Sequence, residues 1–414
     1  MAPKKTAVTN ERANLRKKIQ EALVKMDCGD AYVPLDGNTR QIDVIPSGSL
    51  VLDEVIGNKG WPRGRVVEIF GPESVGKSTV AIAACVEAQK QGGFACYIDF
   101  EHALHLGYAQ SMGLDLSEDA FAFYQPNCFE DGVSIALMFT RIYKADIIVI
   151  DSVAAMIPKK MYAATAEDSI NGMGLQARLM GAFMSTITKD LTKSNTLLMM
   201  INQIRTNIKT SKYDAGPDWF TSGGKALPYY ATIRLHLKPS TVETINVPDQ
   251  FTGEEQKIPI SNFVKAEGHK NKVGFPKRKG SFCIRYGEGI DNLRSVIEAG
   301  LNYKVIKKEG SWYRYRVEGE QGHFRRQGVE QFRKYLMAHQ DVFTMIVAEV
   351  RSKLASSSVM KIDMEINDED IETEDRTHLA IPEDEIPEDV PDFSSAQDEE
   401  LLSLEELEDL TRPD

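Results

Sequence analysis

Residues 71–79 read Gly71-Pro72-Glu73-Ser74-Val75-Gly76-Lys77-Ser78-Thr79 and fit the pattern G-x-x-x-x-G-K-[ST] at every position. Such a loop belongs between a strand and a helix. Its glycines turn backbone N–H groups inward, and the positive end of the following helix adds to the field that holds phosphate. The flanks agree, since residues 65–70 read as a buried strand and residues 80–88 as a helix. The stretch predicts a cradle for nucleoside triphosphate, with Lys77 reaching the outer phosphates and the Ser78 hydroxyl on Mg²⁺.

A chain of 414 residues has room for two or more cores. Its net charge of −12 hides a division: residues 361–414 hold 22 acidic and 3 basic side chains, a net of −19, so residues 1–360 carry +7. From residue 356 the composition is acidic and punctuated by proline, which predicts disorder. Residues 401–410 could form a short partner-binding helix within it or share that disorder. The five cysteines form no CxxC pair, which suggests a reduced, intracellular chain without a disulfide frame or zinc site. No apolar run approaches the roughly 18 residues that span a membrane, and the first residues lack the apolar stretch of a signal peptide. Cytoplasm is the expected compartment.

From about residue 65 to 285, strands alternate with helices, which predicts a mostly parallel sheet covered on both faces. Candidate strands are residues 94–99, 120–124, 146–151, 196–202 and 232–237. The strand ending at Asp151 has the form of a Walker B site and offers a carboxylate for Mg²⁺ beside Ser78. Glu101, just past another apolar strand, is placed to orient and deprotonate a water for attack on the γ-phosphate, although a solvent-facing glutamate would read the same way. Gln203 follows a third strand, and its amide could sense the terminal phosphate. Two polar stretches, residues 159–174 and 204–224, are long for loops in a compact domain and predict a ligand surface coupled to the phosphates. The basic run at residues 261–280 reads as a solvated face, with phosphate binding as its competitor. Ahead of the core, residues 10–27 place Leu15, Ile19, Leu23 and Val24 on one face of an amphipathic helix. Residues 289–354 read as a small α+β unit with a helix near 293–299, an aromatic strand at 311–317 and a helix from Val329.

Taken together, residues 42–354 resemble the RecA-type DNA recombinases of bacteria and their phages. The resemblance rests on Gly-Pro-Glu-Ser-Val-Gly-Lys-Ser-Thr (71–79), Ile-Asp-Phe-Glu-His-Ala-Leu (98–104), Val-Ile-Asp-Ser-Val-Ala-Ala (149–155) and Ser-Asn-Thr-Leu-Leu (194–198). Four more pieces follow in family order: Ile-Asn-Gln-Ile-Arg (201–205), Gly-Gly-Lys-Ala-Leu (223–227), Lys-Asn-Lys (270–272) and Tyr-Gly-Glu-Gly-Ile (286–290). It implies a RecA-like P-loop ATPase core at residues 39–285, after an N-terminal polymerisation helix and linker at 1–38. A small C-terminal α+β domain at 286–355 and the acidic disordered tail at 356–414 complete the expected organisation.

The resemblance also implies roles. Glu101 matches the catalytic glutamate, and Gln203 the glutamine that links the γ-phosphate to the second DNA loop. Tyr108 falls where a ring stacks on adenine, and Lys270 and Lys272 match lysines that reach the neighbouring protomer's ATP. Met173 and Gly174 match the first DNA loop and Ile208 the wedge of the second, while Arg178, Arg205, Gly223 and Gly224 would hold the DNA backbone. The chain departs from the family at Ser185, Asn207, His105 and Pro228, and its tail is longer than typical. The implied activity is ATP- and Mg²⁺-dependent strand exchange between single-stranded DNA and a homologous duplex, in a helical filament of the chain. Loading or single-strand-binding proteins are the expected accessories. A ring helicase built on the same core, or a regulator that keeps the fold without catalysis, is the alternative.

Overall fold

The computed structural model describes residues 17–19, 42–57, 59–162, 174–206, 219–248, 255–316 and 323–360. Residues 17–19 are helical with Ile19 56% exposed; the rest of the expected N-terminal helix, the acidic tail and the 401–410 segment lie outside the described residues. The described residues up to Ser357 belong to one compact unit.

The chain enters through β1 (Val44–Ile45), α1 (Leu50–Ile56) and β2 (Trp61–Pro62), with β1 and β2 paired antiparallel. It then alternates through β3 (Val66–Gly71), α2 (Lys77–Lys90), β4 (Ala95–Asp99), α3 (Leu106–Ser111), β5 (Phe121–Tyr124), α4 (Phe129–Met138) and β6 (Ile147–Asp151). After α5 (Lys159–Tyr162) and α6 (Leu175–Ser194) come β7 (Leu197–Thr206), β8 (Trp219–Thr221), α7 (Ala226–Tyr230) and β9 (Ile233–Pro248). The sheet order is β12-β11-β10-β9-β3-β7-β6-β4-β5, with β10 (Glu255–Asn271), β11 (Lys279–Arg285) and β12 (Gly289–Asp291) added antiparallel at one edge.

The six strands from β9 to β5 run parallel. Their apolar sequences follow from burial on both faces. In β6, Ile147 and Val149 join one core cluster while Ile148 and Ile150 join the other. In β7, Leu197, Met199 and Ile201 likewise alternate with Leu198 and Met200. A strand covered on both sides cannot alternate with polar residues, so it reads as a continuous apolar run. Cys85, Cys96, Cys128 and Cys283 are buried and free, as fillers of this core.

Two expectations are extended. The strand expected at 232–237 is the first part of the 16-residue β9, which forms an antiparallel ribbon with the 17-residue β10. The basic run at 261–280 is therefore no simple solvated face. Phe263, Val264 and Ala266 of β10 are buried, and the charges project from a strand whose other positions pack inward.

Beyond the sheet, α8 (Asn292–Asn302), β13 (Ile306–Glu309), β14 (Trp312–Arg316), β15 (His323–Gln327), α9 (Val329–Ala338) and α10 (Gln340–Met360) form a small α+β domain. Ile297, Tyr313, Tyr315, Phe332 and Ile346 belong to its own core, which Leu50 of α1 joins from the larger domain. Ion pairs fix the junction: Arg294 to Glu243 at 2.7 Å and Arg333 to Asp291 at 2.6 Å.

Candidate nucleotide cleft and DNA-loop stems

The parallel topology brings the carboxyl ends of β3, β7, β6 and β4 side by side, the edge where α/β sheets bind ligands. Gly71 pairs with Gln203, and Asp99 with Asp151, so the phosphate loop, the glutamine and the strand-end carboxylates share one level of the sheet. There a cleft of ≈ 410 Å³ is lined by Glu73, Ser74, Gly76, Lys77, Ser78, Thr79, Glu101, Asp151 and Gln203. Gly76 makes the turn into α2 with φ 94°, and a Cβ there would stand 2.3 Å from Ile284 Cδ1. Only a glycine takes that backbone without strain.

Within the cleft, the Lys77 ammonium donates to the carbonyls of Pro72 (2.6 Å) and Gly71 (3.2 Å). Burial lowers its pKa, while Asp151, Glu101 and Glu73 oppose the shift. Asp151 Oδ2 accepts from the Ser78 hydroxyl and from the Tyr97 phenol, each at 2.7 Å. Burial raises the Asp151 pKa, and the hydrogen bonds from Tyr97 and Ser78 act against it. Mg²⁺ takes hard oxygen ligands and keeps several waters. A serine hydroxyl and a carboxylate side by side at the phosphate loop fit that requirement.

Glu101 is presented by a capped turn. The buried Asp99 carboxylate accepts from the backbone N–H of Glu101 and of Leu104 (3.1 Å each), and Gln125 Nε2 donates to it at 3.1 Å. Glu101 Oε1 accepts from the Ser152 hydroxyl and from Gln203 Nε2, the latter at 3.0 Å. Tyr108 does not line the cleft. It sits half-buried on α3, where its backbone N–H donates to His105 Nδ1 at 3.0 Å, so His105 serves as the helix cap.

The second stretch ends beside the helix that follows the first. Residues 204–206 and 219–221 are not loop but a two-stranded stem, with Ile204 opposite Thr221 and Thr206 opposite Trp219. Gln203 therefore sits inside β7 and not beyond it. Gly174 precedes α6, and Gln176 Nε2 ties that helix to the carbonyls of Val153 and Met156 at 3.0 Å each. A Cβ on Gly224 would come 2.8 Å from the Ala177 Cβ, so close packing joins the end of the second stretch to the start of α6. Gly223 is buried beside it, and Arg178 and Arg205 are exposed. Met173, Asn207 and Ile208 lie outside the described residues.

Lys270 and Lys272 are not brought to this cleft. Lys270 Nζ donates to the carbonyls of Pro228 (2.7 Å) and Tyr229 (2.8 Å), and Lys272 Nζ to Tyr229 O at 3.4 Å. Two ammonium groups thus meet the carbonyl end of α7, the negative end of its dipole. Pro228 is the third residue of this five-residue helix, within the first turn, where N–H groups have no intrahelical partner. Burial, then Lys272 and Arg234, lower the Lys270 pKa.

Sequence reasoning passed over Tyr97, Asp99, Ser152, Asn202 and the ion pair of Glu68 with Arg234. A glutamate inside the apolar run Val66-Val67-Glu68-Ile69-Phe70 was a signal, because a buried carboxylate requires partners. It finds them in Arg234 and in Asn202 Nδ2 at 3.0 Å.

Comparison with known proteins agrees with this architecture. The family model of the RecA N-terminal domain matches residues 17–291, and that of the RecA C-terminal domain residues 294–355. Protein RecA of Methylococcus capsulatus is 40% identical over 345 residues, 82% of this chain and 93% of the relative. Protein RecA of Nocardia farcinica is 41% identical over 325 residues, 78% of this chain and 87% of the relative. Protein RecA of a Mycobacterium species is 40% identical over 322 residues, 78% and 86% of the two chains. With both domain models matched in order and relatives covered over most of their length, the chain belongs to the RecA family of recombinases.

Proposed function

We propose that this protein carries out ATP-dependent homologous recombination and DNA repair, polymerising on single-stranded DNA and exchanging it into a homologous duplex. The observation that carries this reading is the 3.0 Å hydrogen bond between Gln203 and Glu101. The glutamine lies in the strand that runs straight into the second loop stem, so one side chain touches both the reacting end of the cleft and the path to DNA.

In this reading residues 71–79 and Lys77 hold the triphosphate of ATP. Ser78 and Asp151 hold Mg²⁺, which when bound neutralises developing charge on the phosphates. Glu101, steadied by Ser152 and by the Asp99-capped turn, takes a proton from the attacking water. Gln203 leaves Glu101 for the γ-phosphate when that group is present and pulls on β7. Tyr108 serves the adenine from the rim. Lys270 and Lys272 leave the α7 carbonyls to serve the ATP of the neighbouring protomer, which makes hydrolysis a property of the filament. Arg178, Arg205, Gly223, Gly224, Gly174, Met173 and Ile208 contact DNA.

The organisation we propose is a polymerisation segment at 1–38, an ATPase core at 39–285, a C-terminal domain at 286–355 and a regulatory tail from 356. Loading or single-strand-binding proteins would act on the filament from outside. Among the described residues no helix is long and apolar enough to cross a membrane.

The test is joint-molecule formation between circular single strands and a homologous linear duplex. The chain should form joint molecules with ATP and Mg²⁺, and Lys77→Ala should form none. Substantial exchange by Lys77→Ala would overturn the reading.

A further inference from the structure

The second stretch returns to the core through Trp219, and this indole is packed where three parts of the machinery meet. Its ring centroid lies 5.1 Å from Phe70, 5.3 Å from His236 and 5.3 Å from His269. Phe70 stacks on His236 at 4.7 Å and lies under the Arg234 guanidinium at 4.9 Å. Phe70 immediately precedes Gly71 of the phosphate loop, and His269 immediately precedes Lys270. Trp219 itself pairs with Thr206 in the loop stem. A polar layer adjoins this box through Arg234. Asn202 Nδ2 donates to Glu68 Oε1 (3.0 Å) and to the Ser222 carbonyl (2.9 Å), while Arg234 pairs with Glu68 and donates to Thr221 Oγ1 at 3.3 Å. Asn202 Oδ1 in turn accepts from the backbone N–H of Gln203 at 2.9 Å.

We propose that Trp219 is a positioning residue: stacked among Phe70, His236 and His269, it latches the stem of the second loop to the phosphate-loop strand, so that occupancy of the cleft sets the loop's readiness for DNA. The proposal rests on the ATP-to-DNA reading above and names the part of the chain that carries the signal. The physical basis is the difference between the stem's two borders. On the β7 side, a single hydrogen bond from Gln203 reaches Glu101 and can be exchanged for another acceptor. On the β8 side, the indole is held by three rings on β3, β9 and β10, at centroid separations where ring pairs attract beyond their area burial. A displacement of Gln203 can then be passed to the loop only if the opposite strand is anchored to the same sheet. Without Trp219 the stem follows β7 freely, and the cleft no longer distinguishes loop positions. A ligand shifts such an equilibrium only through its differential affinity for the two positions.

The test uses the full chain and measures the affinity for an oligo(dT) strand, with Mg²⁺ alone and with Mg²⁺ plus a slowly hydrolysed ATP analogue. In the unaltered chain the analogue should tighten DNA binding. In Trp219→Ala that tightening should fall by about tenfold, a coupling loss within the usual allosteric range, while affinity for the analogue without DNA stays within about twofold. Trp219→Phe, which keeps a ring in the box, should recover most of the coupling. A merely structural role would weaken DNA binding equally with and without the analogue, and that result overturns the proposal, as does undiminished tightening in Trp219→Ala. If the unaltered chain shows no analogue-dependent tightening, the functional reading fails and takes the latch with it.

A second measurement does not depend on the alanine variant folding. In a Trp312→Phe chain, the analogue without DNA should change tryptophan emission, and adding Trp219→Phe should remove the change. Emission that ignores the analogue, or a change that survives the double substitution, contradicts the latch.

Discussion

Replacing Tyr97 by Phe removes one oxygen atom from the structure. Tyr97 is fully buried, and its phenol donates to Asp151 Oδ2 at 2.7 Å, opposite the Ser78 hydroxyl that donates to the same oxygen. The ring stays, so the packing of β4 against its neighbours is retained, and the deleted hydroxyl leaves no donor unpaired. What is lost is a hydrogen bond to a buried carboxylate, a class that contributes about 1.5–3 kcal/mol. Groups that orient a metal-binding carboxylate from behind usually matter about 10–100-fold in metal affinity, and about 2 kcal/mol converts to a factor near 30. Since the bond from Tyr97 also lowers the Asp151 pKa, its removal raises that pKa further, and the Mg²⁺ requirement should worsen as pH falls. The assay is the Mg²⁺ concentration that half-saturates binding of an ATP analogue, with the denaturant midpoint measured in parallel. The expected result is a rise of about tenfold or more in that concentration. A Tyr97→Phe chain that loses stability but keeps the original Mg²⁺ requirement would refute the link between this phenol and the Ser78–Asp151 pair.

Glu101→Gln keeps the size of the side chain and removes its basicity, so phosphate release should fall by about 10²–10⁴-fold while assembly on DNA with an ATP analogue persists; normal turnover would remove Glu101 from the base role. Burial first, and then the nearby charge of Lys238 and His269, push the His236 pKa down to about 4 from the ordinary 6.5. Between those values the unfolded chain binds more protons than the folded one, so stability should fall as pH drops from 6.5 towards 4, and urea midpoints across that window should show a smaller slope in His236→Gln. Removing residues 361–414 deletes a net charge of −19; affinity for duplex DNA should rise, and an unchanged affinity and salt slope in fluorescence anisotropy would mean that the tail does not compete with DNA.

The parallel sheet was legible because burial on both faces forces the strands at 147–151 and 197–201 into unbroken apolar runs, and the phosphate loop fixed which strand led into which helix. The cleft was legible in part. Lys77 and Ser78 open the helix that follows the phosphate loop, and Glu101, Asp151 and Gln203 come at or after the close of apolar runs, where a polar residue is visible in one dimension. Tyr97 and Ser152 were not visible, since a tyrosine in a strand reads as core and a serine after Asp151 reads as a turn, and only the register of β4 against β6 sets Tyr97 beside Asp151. The β9–β10 ribbon was missed because its outer half is exposed on both faces and carries no clean alternation, as at Val242, Ile245 and Ile258. The meeting of Lys270 and Lys272 with the carbonyl end of α7 depends on pairing across distant segments, which no local pattern encodes.

ATP-dependent polymerisation on DNA is tested by electron microscopy of the chain on single-stranded DNA, with and without a slowly hydrolysed ATP analogue and Mg²⁺. Open helical filaments should form along the DNA and extend when the analogue is bound. Closed rings that encircle DNA and unwind duplexes, with no filament in either state, would contradict it.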